Sequence, residues 1–180
     1  VDVHNAFGTF VSPRVSALLR NGAWTGRASV GSGFFAPTAL TEETAAAGLS
    51  RLAVDAPLKA ERGRSASLDV TRTAGPLTLT GTLFHYDVHD PAVVDRGTYT
   101  LSTLSEPTIT KGVEGVATIR RPPFSVTGTY TYVHSREGVG SSRGDVPLTP
   151  RHSAGLVGMW EKEDRGRIGV EAYFTGRQRL

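Results

Sequence analysis

His85, Asp87 and His89 occupy alternate positions of the run HYDVH, so on a strand all three side chains share one face. Two imidazoles and a carboxylate at that spacing are a donor set for a transition metal. The run falls at the loop end of its strand, and a solvated rim is the reading favoured over a metal site. Gly31-Ser32-Gly33-Phe34-Phe35-Ala36 spells G-x-G-x-x-A after a strand-like run. A dinucleotide loop needs a helix next, to aim its N–H groups at pyrophosphate. Pro37 and the lack of a strand–helix–strand unit argue against one. Arg143-Gly144-Asp145, an adhesion-type tripeptide, stands in a Gly/Ser-rich stretch and reads as a turn. No Ser/His/Asp set or carboxylate pair has a spacing that stands out. Cys is absent, which removes thiol nucleophiles, disulfides and thiolate metal sites. Neither catalysis nor a cofactor is expected.

The elements that would position these residues are strands. Hydrophobic residues make up 38% of the 180, which argues against a large two-sided core. Gly, Thr and Ser are abundant, the formal charge is only +3, and the Arg residues are scattered. No basic tract suggests nucleic acid. No apolar run is long enough for a transmembrane helix, whereas barrel strands need only about 9–11 alternating residues.

The clearest stretch is Lys111 to His134. Phe124, Val126, Tyr130 and Tyr132 share one parity, and Ser125, Thr127, Thr129 and Thr131 the other. Val113, Ala117 and Ile119 oppose Glu114, Thr118 and Arg120. Arg121-Pro122-Pro123 must break the ladder into a tight turn. The result is a long hairpin with one apolar face and one small, polar face. Similar runs are expected at about 9–20, 24–33, 64–73, 77–89, 151–162 and 167–178, with residues 1–8 as the tail of a preceding element. Asn21-Gly22 predicts a type I′ turn. Residues 41–48 read as a short helix with Thr41 as N-cap. For 77–89 the periodicity leaves open whether Leu77, Leu79 and Leu83 or Phe84 and Tyr86 mark the apolar face.

Short connections near 21–22, 74–76, 121–123 and 163–166 alternate with long ones at 34–63, 90–108 and 135–150. In an up-and-down meander every second connection lies on the same side. All tight turns are then at one end and all long loops at the other, the pattern of an outer-membrane barrel with short periplasmic turns and long extracellular loops. Trp24 and Trp160 fall near tight turns on the apolar parity, as a periplasmic-side girdle would. Tyr130 and Tyr132 approach the outer interface. Arg27, Asp69, Glu114 and Glu171 take the polar parity, toward a wet lumen.

Six motifs carry a family resemblance. They are Ser12-Pro13-Arg14-Val15-Ser16-Ala17-Leu18, the run from Arg27 to Thr38, Gly112-Val113-Glu114, Tyr130-Thr131-Tyr132, Leu148-Thr149-Pro150-Arg151-His152, and Tyr173-Phe174-Thr175-Gly176-Arg177-Gln178. In this order and spacing, over nearly the whole chain, they resemble the barrel of TonB-dependent outer-membrane receptors. The resemblance implies an all-β, antiparallel up-and-down transmembrane barrel segment of about eight strands, part of a barrel of about 22 strands. Residues 1–180 would be a partial barrel domain without the plug domain and the TonB-contacting box, cut from a longer protein. It implies uptake of a scarce nutrient, such as a ferric siderophore or cobalamin, driven by TonB from the inner membrane. The expected partners are outer-membrane lipid, TonB and a small-molecule chelate. Expected ligand contacts are the loop residues Phe34, Phe35, Thr41, Glu42 and Tyr99 and the rim residues His85 and His89. The competing readings are a self-contained eight-stranded barrel with an adhesive or structural role, and a soluble β-sandwich binding module.

Overall fold

The computed structural model describes residues 1–37, 53–55, 57–95 and 97–179. It opens on a small hairpin, β1 (Asp2–His4) and β2 (Gly8–Phe10). The strand expected over 9–20 is therefore split. Its second part, β3 (Arg14–Asn21), starts only after Pro13, which has no N–H for a ladder. Residues 2–10 form this hairpin.

β3 pairs with β4 (Trp24–Phe35). Asn21 pairs with Trp24 within the ladder, so the turn is Gly22-Ala23 and not Asn21-Gly22. Gly22 has φ of +55° and Ala23 does not share the left-handed region. A type I′ turn needs positive φ at both central residues, so the expected type gives way to a II′-like turn with Gly first. β4 also continues past Gly33, and Phe34 and Phe35 are ladder residues at its loop end, not loop residues. Gly31 and Gly33 lie inside this strand, which is no place for a phosphate loop.

Beyond a two-residue strand, β5 (Ala53–Val54), come β6 (Glu61–Ala74) and β7 (Leu77–His89). The second long connection contains β8 (Ala92–Asp95) and β9 (Thr100–Thr103). The hairpin β10 (Thr108–Arg121) and β11 (Phe124–Glu137) follows. A 3-10 turn (Gly140–Ser142) and β12 (Gly144–Asp145) lead to β13 (His152–Lys162) and β14 (Gly166–Thr175). The helix expected over 41–48 lies outside the described residues. Among the described residues no helix is long and apolar enough to cross a membrane, which says nothing about crossing by strands.

The eight long strands form one antiparallel sheet in chain order, with β3 and β14 at its edges. Among the described residues the sheet does not close on itself and no second sheet covers it. The self-contained barrel and the β-sandwich both fail on that arrangement. Directly paired residues point to the same face, so the register sorts every side chain. Leu77, Leu79 and Leu83 pair with Ile119, Ala117 and Val113. Those in turn pair with Val126, Gly128 and Tyr132. The face left open in the sequence is thereby settled: the leucines of β7 join the apolar face, and Phe84 and Tyr86 the polar one. Among the described residues only Phe10, Pro37, Pro91, Leu101 and Ser135 are buried, none of them inside the apolar face, and exposed large apolar side chains run across the sheet. An apolar face this wide and uncovered requires an apolar medium or partner.

The hairpins are staggered by a constant step. Trp24, at the first turn, pairs with Arg72, two residues short of the end of β6 at Ala74. Leu77 pairs with Ile119, two residues short of the end of β10 at Arg121. Phe124 pairs with Trp160, two residues short of the end of β13 at Lys162. A fixed shear of this kind is what closing tilted strands into a barrel requires.

Candidate lumen wall and loop cluster

The polar face is a wall of hydroxyls. Strand pairing sets small polar residues opposite one another, and their side chains bond across the ladder: Ser16 to Ser29 (2.9 Å), Thr71 to Thr80 (3.0 Å), Thr118 to Thr127 (3.1 Å) and Thr110 to Ser135 (2.6 Å). Each contributes on the order of 1 kcal/mol or less. Thr82 donates to Asp69 (2.8 Å), which sits opposite Arg27 in the register. Glu114 and Glu171 take the same face as these hydroxyls. Tyr173 donates to Glu171 at 2.9 Å. Phe84 and Tyr86 stand together on this wall, ring centroids 5.4 Å apart. Sequence parity contained them, but without the register it could not say which face they took.

The long connections are tied together at the other end. β5 adds to β9 in parallel and β8 to β9 antiparallel, around Leu101, which is 8% exposed. Ala53 donates to the Tyr99 carbonyl (2.9 Å). Lys59 Nζ meets Asp90 Oδ1 (3.1 Å). The Asp95 carboxylate accepts from the Gly97 and Thr98 amides (2.7 and 3.2 Å). Those two bonds, Gly97 first, hold its carboxyl below the usual carboxylate value. A second tie joins the next pair of connections. Glu106 accepts from the Gly140 amide (2.9 Å) and meets Arg143 Nη1 (2.9 Å), whose Nη2 donates to the Pro107 carbonyl (2.8 Å). Arg143 is thus consumed by Glu106, and Asp145 by both Nη2 contacts of Arg151 (3.0 and 2.7 Å). Neither end of Arg143-Gly144-Asp145 is presented as an adhesion motif.

The Glu106 carboxyl lies below its usual value, chiefly through the Gly140 amide bond and then through Arg143. A depressed carboxyl supports its contact above the unfolded value and loses it as pH falls through the folded one. Hydrogen exchange at Gly140 is therefore expected to be slower in the native protein than in Glu106→Gln at neutral pH. The two should converge in acid. Equal exchange at neutral pH would show the tie to be idle.

The sequence-predicted contact residues do not converge on one point. Phe35 is exposed on the polar-face side of β4, at its loop end. Phe34 points to the other face, stacked on Phe10 at 4.0 Å with Arg62 5.8 Å from the Phe10 ring. Phe10 itself was missed, because it comes from the unexpected first hairpin. His85 and His89 take the parity of Leu77, Leu79 and Leu83, hence the apolar face. Asp87 lies between them, 3.9 Å from His85 Nε2 and 3.1 Å from His89 Nε2. Tyr99 is exposed in the loop sheet at φ of +53°. Thr41 and Glu42 lie outside the described residues. Trp24 and Trp160 sit on the apolar face beside their turns, Trp24 with Arg72 5.2 Å from its ring. Tyr130 and Tyr132 lie farther up that face. Tyr130 Oη is 2.8 Å from His152 Nδ1, and the Tyr132 ring 5.1 Å from the His152 ring.

Solved structures share this arrangement. The chain superposes on the ferripyoverdine receptor of the Pseudomonas aeruginosa outer membrane with a TM-score of 0.68 at 17% identity, over 93% of this chain and 23% of that one. The FrpB iron transporter of Neisseria meningitidis gives 0.67 at 13% identity, over 91% and 26%. The alcaligin outer-membrane receptor FauA of Bordetella pertussis gives 0.62 at 15%, over 92% and 29%. The chain spans about a quarter of the length of these proteins. No curated protein matches it by sequence. The family described as TonB dependent receptor-like, beta-barrel matches residues 1–179. With that match over the sorted turns, the staggered sheet and the two contrasting faces, the chain belongs to the TonB-dependent receptor β-barrel family.

Proposed function

We propose that this chain forms part of the wall and three outer loops of an outer-membrane receptor that imports a small-molecule chelate, a ferric siderophore before cobalamin. The observation that carries the reading is the facial division of the sheet. One face is continuous and apolar, as lipid demands, and the other is a ladder of hydroxyls with sparse charge, as a wet passage demands. The names of the similar structures, a ferripyoverdine receptor, an iron transporter and an alcaligin receptor, favour a ferric chelate. Trp24 and Trp160 then form the periplasmic girdle, and Tyr130 and Tyr132 the outer one. TonB is the energy-coupling partner, acting through a plug domain and TonB box carried elsewhere in the protein. Phe35 and Tyr99, both exposed, are the first contacts for the incoming chelate; Thr41 and Glu42 are further contacts, and Phe34, turned to the other face, supports them from behind through Phe10. His85 and His89, on the apolar face, reach it only at the edge of the rim.

The test is uptake by iron-starved cells. Deleting the gene is expected to abolish uptake of at least one radiolabelled ferric siderophore from a chemically varied panel. Phe35→Ala with Tyr99→Ala should weaken that uptake several-fold at limiting chelate. Unchanged uptake of every ferric chelate and of labelled cobalamin in the deletion strain would sink the proposal.

A further inference from the structure

The apolar face carries a hollow of 540 Å³ on its turn side. Gly81, Gly115 and Gly128 form its floor, Trp24 and Arg72 its turn-side mouth, and Leu79 its wall, while Tyr130 closes the upper end. Three glycines in strand interiors need a reason, because glycine weakens a strand and often marks a place where a ligand or another backbone comes close. The sheet itself supplies none. The three glycines are not at positive φ. A Cβ would meet nothing within 4 Å at Gly81 or Gly115, and at Gly128 only Leu156 Cδ1, at 3.9 Å. The space above them is open to whatever lies against this face.

The hollow rises from the turns. Trp24, Arg72 and Leu79 lie in one row of the register, which continues through Ala117 to Gly128. Each hairpin reaches two residues further down than the one before, so that row climbs relative to the turns. Trp24 is the first residue of β4, and Gly128 stands four residues above Phe124, the first of β11. At about 3.4 Å per residue and a tilt of about 40°, the climb is roughly 10 Å. It stays within one leaflet of a hydrocarbon core about 30 Å thick. A helix about 10 Å across would fill the volume in little more than one turn, so the hollow suits a narrow, extended chain.

Its mouth is cationic and aromatic. Arg72 is exposed and lies 5.2 Å from the Trp24 ring. It makes no ion pair among the described residues. The acids of β6, Glu61 and Asp69, take the polar face, and β4 has no acid. The one acid of β7, Asp87, stands at its loop end. An unpaired guanidinium beside a tryptophan at the level of the turns is placed to meet a phosphate, with the apolar hollow leading away from it.

We propose that the hollow holds one acyl chain of a glycerophospholipid of the turn-side leaflet, with the lipid's phosphate at Arg72. The proposal rests on the membrane reading above. The experiment titrates the purified full-length receptor containing this chain, delipidated in detergent, with dioleoyl phosphatidylglycerol and with dioleoylglycerol, and counts bound lipids by native mass spectrometry. The unaltered receptor is expected to take up one phospholipid before any other, and to prefer it to dioleoylglycerol about fivefold. Gly81→Leu/Gly115→Leu, which fills the hollow, should lose that first binding step. Gly158→Leu, the same change on the same face but outside the hollow, should keep it. Arg72→Gln should bind the two lipids equally. An unchanged first step in Gly81→Leu/Gly115→Leu, or an unchanged phosphate preference in Arg72→Gln, overturns the proposal. So does a polypeptide that co-purifies with the unaltered receptor and is released by Gly81→Leu/Gly115→Leu, which would make a partner's membrane segment the occupant. A receptor that imports its chelate without the first lipid step fails this proposal alone. One that keeps the step and imports nothing fails the transport reading alone.

Discussion

Leu79→Arg is expected to destabilise the sheet in the membrane, and Thr80→Arg, one residue along the same strand, to be tolerated. The two positions share one depth and differ only in face. Leu79 pairs with Ala117 and Arg72, within the apolar face. Thr80 pairs with Val116 and Thr71, and its hydroxyl bonds to that of Thr71 at 3.0 Å. An arginine facing lipid costs about 2–4 kcal/mol at the midplane and about 0–1 kcal/mol at the interface. Leu79, in the register row of Arg72 and Trp24 and two residues above the start of its strand, lies between the two, so a cost of about 1–2 kcal/mol is expected. On the wet face the loss is the hydroxyl pair, on the order of 1 kcal/mol or less. Urea titration of the receptor refolded into lipid vesicles, with the folded fraction read on unboiled gels, measures both. If the two substitutions cost the same, or Thr80→Arg costs more, the facial assignment is wrong.

Gly112→Ala should destabilise the sheet, whereas Gly115→Ala, three residues nearer the turn and on the opposite face, should not. A Cβ at Gly112 would meet the Tyr132 carbonyl oxygen and come 2.5 Å from Phe84 Cζ. Forcing atoms into a filled site costs about 1–3 kcal/mol. At Gly115 nothing lies within 4 Å. There the gain in strand preference of Ala over Gly leaves the change neutral or stabilising by up to about 1 kcal/mol. Removing the ring with Phe84→Ala should rescue Gly112→Ala only in part, because the carbonyl obstacle is backbone and stays. Full rescue would assign the whole clash to the ring. The same urea titration distinguishes these outcomes.

The parts of this fold that follow from local chemistry were legible without coordinates. Thr127, Thr129 and Thr131 alternating with Val126, Tyr130 and Tyr132 announce a two-faced strand, and Pro122-Pro123 announces its turn. Loop length alone was enough to sort the two ends of the sheet. What stayed hidden depends on pairing between distant segments. Leu77 and Phe84 are both apolar and opposite in parity, so β7 by itself has two candidate apolar faces. Only its register with Val113 and Ile119 selects one. Gly31 and Gly33 weaken the local strand signal before Phe34 and Phe35, yet pairing with β6 carries the ladder through them. The loop sheet joins Ala53 and Val54 to Thr100 and Leu101, and the second tie joins Glu106 to Arg143 across 37 positions. Neither has a periodic signature. The contact residues for a chelate were the least legible, because they depend on where loop tips converge and not on repeats along a strand.

The two-residue step between hairpins has an evolutionary consequence. Each hairpin carries its own share of the offset, so the level of its apolar-face aromatic residues is fixed relative to its neighbour and not to the sheet as a whole. A duplicated or deleted hairpin that keeps the step leaves every remaining aromatic residue at its proper height. A slip of one residue would instead turn leucines inward and threonines outward along an entire strand. Such a wall can change circumference by whole hairpins while its loops diverge freely, and diversification of the binding surface need not disturb how the protein sits in its membrane.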